Sequence, residues 1–131
     1  MVTASHPLTL TLQAPLDLAG ARMASLTFWH SYTLSGRGQA QVEFSTDGGE
    51  NWQTLAVRQD GEQSWTPITM RLTSFAGPGH PPLRLRFRLL PGGPADRWLI
   101  DDVLVEALEP PALYPLPFED DVERWRRWDA T

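Results

Sequence analysis

The chain has 131 residues, a formal net charge of −5 and 41% hydrophobic against 21% charged residues, the profile of one globular domain with a real core. No cysteine is present and all 11 basic residues are arginine, which excludes a disulfide framework and a thiolate metal site. The acidic balance argues against nucleic acid, whose phosphates need a basic face.

Period-two alternation runs through the chain and predicts half-buried antiparallel strands with one wet face. LTLTLQ (8–13) sets Leu8, Leu10 and Leu12 on one face. ASLTFWHSYTL (24–34) aligns Leu26, Phe28, His30 and Tyr32, with Trp29 opposite. QAQVEFS (39–45) sends Ala40, Val42 and Phe44 inward. WQTLAVR (52–58) is short, and SWTPITMRLTS (64–74) carries Pro67, which suits an edge strand or a bulge. LRLRFRLL (83–90) alternates most cleanly, with Arg84, Arg86 and Arg88 on the wet side. WLIDDVLVEA (98–107) closes the series.

Four breaks read as turns: SGRG (35–38), TDGGEN (46–51), QDGEQ (59–63) and LPGGPADR (90–97). Seven strands so spaced predict an all-β antiparallel sandwich. From Glu109 the composition changes. A stretch holding four prolines, EPPALYPLP (109–117), reads as a stiff linker. In FEDDVERWRRWDAT (118–131) the spacing of Phe118, Val122 and Trp125 allows a short helix, with strand and loop equally open. The organisation expected is therefore a body over 1–108, a linker over 109–117 and a C-terminal segment over 118–131.

Several stretches bear on chemistry. STDGGENW (45–52) fits the Asp-box pattern, in which Asp47 accepts turn amides, Gly49 takes a positive φ and Trp52 packs under the hairpin; Ser45 opens the motif. Such turns stabilise folds and usually lie away from active sites, so the motif is read as a fold marker. In IDDV, alternation puts Asp101 on the face of Val103 and Val105, so its carboxylate needs a cation, either an arginine or a hard oxygen-ligated ion such as calcium. His6, His30 and His80 stand far apart, and no nucleophile, metal-helix or phosphate-loop motif is present. The expectation is a non-enzyme. The Arg84, Arg86 and Arg88 row suits either a carboxylate-paired outer face or a polyanion, and Trp29 or Trp65 suits a sugar ring. MVTASHPLTLTLQAPLDL lacks the basic and apolar regions of a signal peptide, and no window is apolar enough to span a membrane, so no membrane insertion is expected.

The motifs LTFWHSY, VEFSTDGGENW, LTSFAG, LRFRL and IDDVLV, in this order, resemble the jelly-roll modules attached to bacterial immune inhibitor A-type metalloproteases, and more distantly MAM adhesion domains. The resemblance covers residues 8–105. It implies a jelly-roll β-sandwich of an extracellular or cell-surface, non-catalytic module used for adhesion, glycan contact or spacing; an exported chain would have lost its signal or belong to a larger precursor. In that family a module opens with an FE-containing, Trp-bearing segment, and the opening Glu shares a calcium site with the first Asp of IDDV. Here that segment stands at the C-terminus as Phe118-Glu119, a permuted order. The resemblance thus implies calcium at Asp101 and Glu119, with Asp102 in reserve. It also implies a donor-like tail, Phe118, Val122, Trp125 and Trp128, that completes its own body or a neighbouring copy. The expected function is a structural or adhesion module that self-assembles head-to-tail into a filament or polymer. The alternative is a monomeric carbohydrate- or protein-binding accessory module of a secreted protease or other enzyme.

Overall fold

A computed structural model describes the backbone of residues 2–3, 8–109 and 124–129, and the side chains of 8–109 and 126–128. The chain is all-β, and its described residues form one antiparallel sheet of seven strands that curls over one core. The strands are β1 (Val2–Thr3), β2 (Leu8–Thr11), β3 (Met23–Ser45), β4 (Gln53–Arg71), β5 (Arg84–Leu90), β6 (Arg97–Glu109) and β7 (Arg124–Asp129), with a 3-10 turn at Thr73–Phe75 between β4 and β5.

Strand β3 organises the sheet. One of its edges pairs with β4 over most of its length. The other carries β6 along its first half, from Met23↔Leu108 to Thr33↔Arg97, and β5 along its second, from Gln39↔Leu90 to Ser45↔Arg84. Alternation then delivers the apolar rows of both halves to one interior. Leu26 and Phe28 meet Leu85, Phe87 and Leu89 there, together with Trp98, Val103 and Val105. Phe87 of the second half stacks edge-on against Phe28 at 5.1 Å and Trp98 at 5.6 Å, so the two halves face each other and give the fold its β-sandwich character.

Two predicted turns are absent. SGRG (35–38) and QDGEQ (59–63) lie inside β3 and β4, so four of the predicted strands merge into two long ones. Their glycines bend the ladder without ending it. β3 advances from Leu34 to Gln39 while β4 moves only from Gly61 to Gln59. Asp60 (φ 52°) and Gly61 (φ 105°) take the left-handed conformation this bend requires. The predicted turns at 46–51 and 90–97 do separate strands.

A buried carboxylate fastens the corner. Asp96 is 1% exposed, and it accepts the Ser35 amide (2.9 Å), the Ser35 hydroxyl (3.1 Å) and the Gly92 amide (2.7 Å). Burial pushes the pKa of this carboxyl up, but the bonds from Gly92, Ser35 and Gly93 outweigh it and hold the carboxyl below its ordinary value. Gly38 is required beside it, since a Cβ there would collide with the Asp96 carboxylate.

Beyond the body, residues 124–129 form a strand, which decides between the three conformations open for that segment. Pro67 sits in β4, whose only partner among the described residues is β3, consistent with an edge strand; a register shift lies beside it between His30 and Tyr32.

Candidate functional site

The outer edge of β6 brings together the two ends of the chain. Because β3 occupies the other edge from Arg97 to Leu108, β1 and β7 share this one. β7 lies against the C-terminal part of β6, from Glu109↔Arg124 to Leu104↔Asp129, and β1 lies further along at Trp98 and Arg97. Both run antiparallel to β6, so they run in the same direction, one behind the other on a single strand path.

What holds β7 is visible in its side chains. Trp128 faces Val105 and is half-buried against the core. The Arg126 guanidinium lies 4.4 Å above its ring. Arg126 also pairs with Glu109 and Arg127 with Glu106, each at 2.9 Å. Trp125 stands opposite Leu108, with only its backbone described; Phe118, Glu119 and Val122 lie outside the described residues.

Under Trp128 an apolar groove of about 740 Å³ opens between β2 and β6. Leu10 and Leu12 form one wall, Ile100 and Val105 the other, and Phe87 the floor. Leu10 is 50% exposed, which makes this wall the least covered part of the predicted apolar row of β2.

Asp101 does not take the position that alternation gives it. Between the pairs Trp29↔Asp101 and Thr27↔Leu104 the ladder gains one residue on β6, and Asp102 adopts φ 54°. This bulge resets the alternation: Val103 and Val105 are buried, whereas Asp101 and Asp102 are both exposed. Asp101 Oδ1 accepts the Asp102 amide at 2.8 Å, at the rim of the groove. Two adjacent carboxylates supply too few oxygens for calcium, which takes six to eight. Among the described residues no third acidic or histidine ligand joins them.

The Asp-box residues form a closed turn. Ser45 Oγ donates to Asp47 Oδ1 (2.7 Å) and accepts the Gly49 amide (2.9 Å). Asn51 donates to Asp47 through its amide (2.9 Å) and its side chain (2.7 Å). These bonds, the Asn51 amide foremost, draw the Asp47 carboxyl down to about 2. Gly49 has φ 96°, and Trp52 donates its indole N–H to the Gly49 carbonyl at 3.0 Å.

Three further arrangements escape strand-by-strand reading. Asp96 sits in a predicted turn, and nothing local announces its burial. His30 is buried, and its Nδ1 accepts the Trp98 indole N–H at 3.0 Å, joining strands 68 residues apart. Trp29 and Trp65 are 41% and 49% exposed on the outer face. Trp29 pairs with Pro67, and Trp65 lies two residues away along β4, at the register shift between His30 and Tyr32. Comparison with protein-family models and with curated proteins gives no match to this chain.

Proposed function

We propose that the chain is a non-catalytic structural or adhesion module of the jelly-roll type, extracellular or on a cell surface. In this reading copies join head-to-tail: the C-terminal segment of one lays its β7 on the β6 edge of the next. The observation that carries it is the way that edge is filled, by two short collinear strands from opposite ends of the chain. Fourteen residues separate Glu109 from Arg124, a span of up to about 48 Å when extended. That length serves β7 on its own body or on a neighbour, with the same register and the same burial of Trp128. Repeated in one direction, such a heterologous contact builds a ring or a filament.

Calcium belongs to this proposal as the ion that Glu119 brings to Asp101, with Asp102 in reserve; both aspartates are exposed. Light scattering across a concentration series, with and without calcium, tests the assembly. Growth into large species that disappear when residues 118–131 are deleted is the expected result. A constant 14.7 kDa mass at every concentration and in both conditions refutes exchange.

A second reading, the monomeric accessory module, draws support from β7 pairing with β6 of its own chain and from exposed Trp29 and Trp65. It predicts that constant mass together with binding to a carbohydrate array that substitution of either tryptophan abolishes.

A further inference from the structure

We propose that the outer face of β5, flanked by β2 and the second half of β3, binds an acidic polysaccharide. Arg84, Arg86 and Arg88 stand on this face at alternate positions, about 7 Å apart. Residues in register share a face, so Arg86 lies between Thr11 and Glu43, Arg88 between Thr9 and Gln41, and Arg84 beside Ser45.

The charge on this face is not balanced from within. In β2, β5 and the stretches 39–45 and 53–59 the sequence holds a single carboxylate, Glu43. Glu43 is 5% exposed and committed to Arg86, whose Nε donates to it at 2.7 Å. Arg88 approaches the same carboxylate only to 4.0 Å, and a third of its side chain is open to solvent. Arg84 Nε is buried without a hydrogen-bond partner among the described residues, and the Ser45 hydroxyl beside it is already engaged by Asp47 and Gly49. Three guanidiniums thus stand beside two carboxylates, Glu43 on the face and Asp47 in the adjoining turn, leaving a local positive excess on a chain of net charge −5. A ligand charged at regular intervals complements that excess, and the overall negative charge opposes indiscriminate polyanion binding.

The neighbours of the row indicate the class. Exposed Thr9 and Thr11 flank Arg88 and Arg86 on one side, and Gln39 and Gln41 lie on the other, all suited to sugar hydroxyls. Arg86 covers one face of Trp52 at this row, 4.1 Å from the ring centroid, and closes that face to base stacking. This inference does not rest on strand completion, since the arginine face and the β6 edge are made by different residues.

The test measures binding of the full chain to heparin, which carries sulfates and carboxylates, and to polygalacturonate, which carries carboxylates alone, with neutral dextran and oligo-dT as controls. One or both polyanionic sugars are expected to bind in a salt-dependent way, and dextran not at all. The double variant Arg84→Gln/Arg88→Gln is expected to lower affinity about tenfold or more and to reduce the salt slope by about two. Its urea midpoint checks the fold. If the double variant does not fold, Arg88→Gln alone still decides the matter, with an expected loss of about threefold. The inference is overturned if neither polysaccharide binds at low salt, if the variants bind as wild type does, or if oligo-dT binds equally well.

Discussion

Replacing Trp128 with alanine tests what fastens β7 to the sheet. Trp128 is half-buried against the core, so roughly 100 Å² of apolar surface is removed from water there. At ~25 cal/mol per Å² this contributes about 2.5 kcal/mol. The rival contribution comes from the two ion pairs, Arg126 with Glu109 and Arg127 with Glu106. The Arg127 side chain is 67% exposed, and pairs of this kind contribute about 0–1 kcal/mol each, less in salt. The apolar contact therefore outweighs either ion pair. Hydrogen exchange of the β7 amides reads the difference directly, because it reports the opening of that strand whichever copy supplies it. Trp128→Ala is expected to speed exchange about seventyfold, and Arg127→Ala about fivefold at most. Equal effects, or an Arg127→Ala effect that exceeds that of Trp128→Ala, would refute the reasoning and assign the attachment to charge.

Two further outcomes follow from buried polar groups. Removing the Asp96 carboxylate leaves the Ser35 amide, the Ser35 hydroxyl and the Gly92 amide without their acceptor, so Asp96→Ala is expected to cost about 3 kcal/mol in urea unfolding. A loss under about 1 kcal/mol would show that water replaces the carboxylate. His30 titrates below its ordinary 6.5, through burial first and the nearby charge of Arg58 second. The folded chain holds this proton less readily than the unfolded one, so the site's contribution is complete above pH 6.5 and is lost as pH falls through and below that value. His30→Gln keeps an acceptor for the Trp98 indole without titrating, and should flatten the stability profile below pH 6.5. An unchanged profile would exclude His30 as its cause.

Much of the strand content was legible because a half-buried strand writes its own period. The row Leu83, Leu85, Phe87 and Leu89 is buried as alternation requires, with three arginines facing outward. The turn from Ser45 to Trp52 was legible too, since each of its hydrogen bonds closes within four residues. Errors arose where glycine permits more than one outcome. SGRG and QDGEQ carry turn chemistry, but the partner strands on either side kept the ladder continuous through the bend. At Asp101 one inserted residue reversed the facing, and only the pairing with β3 reveals it. The pairing of Glu43 with Arg86 is equally invisible locally, because 43 residues separate them.

By itself the sequence determined the all-β class, most of the strand positions, the closed Asp-box turn and the inward rows, all consequences of contacts a few residues long. Tertiary structure alone decided that β3 would carry β6 and β5 on one edge, that Asp96 would fasten the corner, and that Arg124–Asp129 would lie on β6 as a strand. The reason is physical. A strand makes none of its ladder hydrogen bonds within itself and must bury one face against other residues, and which distant segment satisfies these needs depends on burial and register summed over the whole chain.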